Sequence, residues 1–125
     1  MIKEKFILLL FAIVILVACG MRDTSTPEKA LLGHWLTEDG KTHYYFNPGK
    51  LVMVNNGRRM DQSYVVLESN NRENWIKIRV KTGYDIGHDK KLLFGNDRRS
   101  LTCTVEIENV AINTKCNFID GKKEP

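Results

Sequence analysis

Cysteine, histidine and proline are all scarce in this 125-residue chain, three of each. No Cys-x-x-Cys spacing occurs, so the common thiol-redox and zinc-binding patterns are excluded. His34, His43 and His88 lack the spacing of metal ligands, and His34, beside the Trp35 strand start, reads as a surface or hydrogen-bonded group. Serines are few, and Ser25, Ser63, Ser69 and Ser100 all lie outside a nucleophile-elbow context. No glycine-rich loop joins a strand to a helix to cradle phosphate. His88-Asp89 beside Tyr84-Asp85 reads as a solvated loop rather than an acid/base pair. No metal, no cofactor and no enzymatic activity are therefore expected. Excess charge is scarce too, with 19 Lys+Arg against 15 Asp+Glu. The basic doublets Arg58-Arg59, Lys90-Lys91, Arg98-Arg99 and Lys122-Lys123 are separated by acids, which reads as a solvated surface and not a nucleic-acid patch.

Only one long apolar run exists, the thirteen residues Phe6 to Ala18. It follows the charged start Lys3-Glu4-Lys5 and falls short of the about 17–25 residues that a membrane-spanning helix needs. Residues 1–18 therefore read as a secretory signal peptide. The end of the run, Leu16-Val17-Ala18-Cys19, resembles a bacterial lipobox. That resemblance implies a diacylglyceryl group on the Cys19 sulfur, cleavage after Ala18 and acylation of the new amino terminus. It further implies a lipid-anchored protein of the cell membrane or outer membrane, facing the periplasm or the exterior. Two or three acyl chains anchor stably, since each buried methylene contributes about 0.8 kcal/mol and one chain is marginal.

Removal of residues 1–18 leaves 107 residues with 17 basic against 14 acidic side chains, enough for one small domain and expected to be monomeric. Residues 19–27 read as a lipidated tether, 28–120 as the folded domain and 121–125 as a flexible tail. Thr26 as N-cap and Pro27 at the first helical position predict a short helix over Pro27–Leu32, stopped by Gly33. Beyond it no 3.6-residue period is sustained. Strands are predicted at Gly33–Thr37, Thr42–Phe46, Lys50–Asn55, Gln62–Glu68, Trp75–Lys81, Lys90–Phe94, Ser100–Glu108 and Ala111–Asp120. The fold class is thus all-β. Eight short strands with mostly short loops make an antiparallel meander, and closure into an up-and-down barrel removes its edges.

With Cys19 assigned to the lipid, Cys103 and Cys116 remain as an even pair in an oxidising compartment. A two-residue turn at Asn109-Val110 sets them opposite each other, with α-carbons about 4.5 Å apart. A disulfide is expected, closing a 14-residue loop worth about 3 kcal/mol; the alternative is two reduced buried thiols.

Gly33-His34-Trp35, following a short helix and opening a strand meander, resembles the Gly-x-Trp start of a lipocalin-type barrel. Asp39-Gly40, Tyr44-Tyr45-Phe46, Asn47-Pro48-Gly49-Lys50-Leu51 and Tyr64-Val65-Val66 are similar in rhythm to small lipocalin-like domains of bacterial lipoproteins. The resemblance implies that Trp35 closes the barrel floor and that a small hydrophobic ligand or lipid is bound. Small periplasmic barrels that block lysozyme are similar in size, anchoring and disulfide logic, which implies instead an envelope-protein partner. In an up-and-down barrel the helix and tether share one end. Arg58, Arg59, Tyr84 and His88 are expected on the opposite rim, as the surface for a ligand or partner.

Overall fold

The computed structural model describes residues 22–81 and 87–125. The expected signal peptide, the lipidation site Cys19 and the rim residue Tyr84 lie outside the described residues. A short helix α1, Pro27–Leu31, precedes eight strands. These are β1 Gly33–Thr37, β2 Thr42–Asn47, β3 Lys50–Asn55, β4 Arg58–Asn70, β5 Trp75–Lys81, β6 His88–Phe94, β7 Ser100–Ile107 and β8 Val110–Asp120. Each strand pairs antiparallel with its neighbour in sequence, and β8 returns to β1, so the sheet closes as a barrel. The predicted all-β architecture and the short N-terminal helix are both present.

Local chemistry explains most boundaries. The Thr26 hydroxyl accepts from the Lys29 amide at 3.3 Å, and Pro27 opens the helix without needing a donor there. Pro48-Gly49 turns β2 into β3, so that Asn47 faces Lys50. Asn56 and Gly57, with φ of 50° and 76°, form a two-residue turn between β3 and β4. That turn corrects one expectation. Arg58 and Arg59 are not loop residues but open β4, opposite Asn55 and Val54. His88 likewise begins β6, opposite Val80, rather than ending a loop.

The last hairpin brings a second correction. Its turn is Glu108-Asn109, with φ of 52° and 67°, and not Asn109-Val110. A tight hairpin turn of this hand needs positive φ at both central positions, and a β-branched valine strongly resists it. The turn therefore sits one residue earlier, and Ile107 faces Val110. Cys103 then lies opposite Thr114, and Cys116 opposite Leu101. The two cysteines share the inner face but are diagonal neighbours. Such neighbours stand about 7–8 Å apart, beyond the about 4.4–6.8 Å between α-carbons that a disulfide accepts. Both are free thiols, and the expected disulfide is absent.

One barrel end is closed by Trp35. Its ring is fully buried, packs edge-on against Phe118 at 5.4 Å, and lies 6.1 Å from Phe94. Its indole N–H donates to the Leu31 carbonyl at 2.8 Å, tying α1 to the first strand. The Arg22 guanidinium lies 3.8 Å from the Phe118 ring centre and covers this floor from outside.

Gly33 makes the entry into β1 compatible with that packing. Its φ is 126°, and an added Cβ would stand 2.8 Å from the Asp120 carbonyl oxygen and 2.9 Å from Phe118 Cε2. Gly33→Ala is expected to cost about 2–3 kcal/mol, combining backbone strain with overlap. A urea melt with an unchanged midpoint would refute this.

Candidate functional site

The interior is built from alternate residues of every strand. Phe46, Leu51, Tyr64, Ile76, Ile78, Leu92, Phe94 and Leu101 join Trp35 in one buried cluster. Among them a cavity of only about 30 Å³ remains, bordered by Trp35, Tyr44, Lys90, Leu92, Cys103 and Cys116. That is room for about one or two water molecules, whereas sites for drug-sized ligands run to about 300–1,000 Å³.

Three protonated acids meet at this level. Burial pushes the Cys116 thiol up to about 12, with Cys103 and Asp39 adding to the effect. Burial also raises the Tyr44 hydroxyl to about 12, with smaller contributions from Cys116, Cys103 and Asp39. The Cys103 thiol is raised by burial and opposed by Lys90. Such thiols are poor nucleophiles at neutral pH, because the thiolate is the reactive form. They pack as small apolar groups.

The opposite rim holds the other predicted residues, but does not gather them. Arg58 is exposed at the start of β4, and Arg59 donates to Asp61 at 2.8 Å along the same strand. His88 is exposed and level with Tyr64 through Val80, whereas Arg58 stands well beyond Tyr64 along β4. The arginines and His88 are therefore separate parts of one rim. The rim is also more apolar than the sequence suggested. Met60, Ile107, Val110 and Ile112 follow the inward alternation of their strands but are exposed, because they lie past the packed interior.

A second cluster, on the outer wall, was not legible in the sequence. His34 on β1 and His43 on β2 meet through Nε2 and Nδ1 at 2.7 Å, and His34 stacks on Tyr45 at 4.3 Å. His34 Nδ1 lies 3.5 Å from an Asp120 carboxylate oxygen. Both contacts are satisfied when His43 Nδ1–H donates to His34 Nε2 and His34 Nδ1–H donates to Asp120. The two histidines are diagonal across the β1–β2 ladder, a relation that only the strand register reveals. His34 is thus hydrogen-bonded, as expected. Among the described residues no group of three or more His, Cys, Asp or Glu is arranged to hold a metal ion. No helix among them is long and apolar enough to cross a membrane.

Two measurements check the interior. Iodoacetamide is expected to label both Cys103 and Cys116 in urea without prior reduction; labelling that requires a reductant would refute the free-thiol assignment. Stability is also expected to fall between about pH 9 and about pH 12. In the unfolded chain the Cys116 thiol ionises near its ordinary 9.0, while in the fold it stays protonated up to about 12. The folded state then holds protons that the unfolded state has lost, so stability is intact below about pH 9 and declines with rising pH. Cys116→Ala should flatten that decline in urea melts, and an unchanged slope would contradict it.

No family model, no curated protein and no solved structure matches this chain.

Proposed function

We propose that this chain is a lipid-anchored extracytoplasmic interaction module, which meets an envelope protein with the rim of a solid barrel. The filled interior carries the reading, since a cavity of about 30 Å³ leaves no room for a lipid or fatty acid inside. The geometry of the two ends supports it. Arg22 and α1 lie at the Trp35 end, so a chain running on from Cys19 leaves from there. The β1–β2, β3–β4 and β7–β8 turns lie at the other end, away from the anchor. The anchor itself rests on the Leu16-Val17-Ala18-Cys19 resemblance and the apolar run before it.

That rim offers exposed apolar groups, Met60 on β4 near the cationic Arg58, and Ile107, Val110 and Ile112 on the β7–β8 hairpin. Apolar anchors flanked by charge suit a protein surface, where the apolar groups supply affinity and the charge steers encounter.

Two experiments test the reading. Labelled palmitate should enter the wild-type protein and not Cys19→Ala; equal labelling, or none in either, removes the anchor. A photo-reactive residue at position 60 should then capture one envelope protein. The double variant Arg58→Glu/Arg59→Glu should weaken that capture at least about tenfold, equivalent to about 1.4 kcal/mol. Undiminished capture by a variant with a wild-type melting curve would reject the rim as the contact.

A further inference from the structure

The barrel wall is uneven at the rim, where the β7–β8 hairpin stands beyond the end of β1 and of the β6–β7 ladder. β1 has five residues and β8 has eleven. The β1–β8 ladder covers Cys116 to Asp120 and ends with a bond from the Glu38 amide to the Lys115 carbonyl at 3.0 Å. β1 stops there because Glu38-Asp39-Gly40 turns sharply, fastened by the Gly40 amide to Thr37 and the Thr37 hydroxyl to Asp39. On the other side the β6–β7 ladder stops at Lys91 and Thr104. Among the described residues, Val105 to Asn113 is therefore a two-stranded arm whose ladder pairs are all its own.

The free edge of this arm is chemically defined. Main-chain groups along an antiparallel strand alternate between its two neighbours. Since the Lys115 carbonyl faces β1, the N–H and C=O of Asn113 and Ala111 face the same side, where β1 has already ended. Exposed edges are ordinarily guarded by lysine, proline or a bulge. Val110-Ala-Ile-Asn-Thr114 has none of these and no charged side chain. The inward-facing side of the arm is apolar, with Ile107, Val110 and Ile112 exposed by 52%, 62% and 49%.

We propose that this edge pairs with the same edge of a second copy of the chain, making a twofold dimer through β8. The segment is its own complement. An antiparallel copy centred on Ile112 sets Ala111 opposite Asn113 in two hydrogen-bonded pairs, Val110 opposite Thr114, and the two Ile112 side chains side by side. With no charge on the segment, the two copies bring no like charges together across these five positions. An isolated two-stranded hairpin is marginal in water, and a sheet of three or more strands with an apolar face is not. The second arm supplies two further strands whose apolar side chains lie on the matching face. The proposal goes beyond the envelope-partner reading: it shares the apolar side chains Ile107, Val110 and Ile112 with that rim, but it is carried by the main-chain edge of β8 and not by the arginines.

Sedimentation of the mature protein in detergent, and of its unlipidated Cys19→Ala form, tests it. Both are expected to be dimers at about 100 μM. Ala111→Pro removes an N–H that faces the open edge and not β7, and Ile112→Lys puts charge on the axis. Each should raise the dimer dissociation constant at least about tenfold while leaving the circular dichroism unchanged. Should either variant misfold, Ile112→Cys provides the alternative reading. Mild oxidation should give a covalent dimer that the wild type, with Cys103 and Cys116 inside the barrel, does not give. A monomeric wild type, a dimer indifferent to both edge variants, or absence of the Ile112→Cys cross-link would overturn the proposal. Failure of Arg58→Glu/Arg59→Glu to affect partner capture would leave this result untouched.

Discussion

The hydrogen bond from the Trp35 indole to the Leu31 carbonyl fixes one end of this protein, and the rest is arranged around that end. It joins a five-residue helix, too short to be stable alone, to the first strand of the sheet. The same ring is wedged between Phe94 and Phe118, from β6 and β8. One side chain therefore ties together the start, the middle and the end of the folded chain. Gly33 is needed two residues before it, because no other residue fits so close to Asp120 and Phe118 at that φ.

From that floor upward the barrel fills with its own side chains. The interior narrows to a gap by Tyr44, Cys103 and Cys116, and everything beyond the gap is rim. Protonated thiols suit that position, as small apolar groups whose ionisation burial opposes. Strands of unequal length then decide what the rim presents. The β3–β4 and β7–β8 hairpins carry Met60, Val110 and Ile112 into solvent, while β1 ends at Thr37. A packed interior and a ragged apolar rim belong together, since the residues left over from the core are those displayed.

Much of this was legible in the residues. The strand punctuation, the N-cap Thr26 and the bounds of β1, β3 and β5 follow directly from glycine, proline and asparagine placement. Two of the errors share one physical origin, the handedness of two-residue turns. Asn56-Gly57 is a complete turn by itself, so Arg58 and Arg59 belong to a strand. Val110 cannot take the conformation that Asn109 can, so the last turn uses Glu108 and the expected Cys103–Cys116 alignment slips to a diagonal. The His34–His43–Asp120 contact was hidden for a different reason. It joins three strands across the outer wall, and no local pattern announces a diagonal relation between strands.

The central claim is that the barrel is solid and acts through its surface. Titration of the full-length protein, in a detergent that does not compete, with a fluorescent long-chain fatty acid tests it most directly. No saturable binding is expected, and no protection of Cys103 or Cys116 from alkylation by the fatty acid. Saturable one-to-one binding that shields both thiols would contradict it.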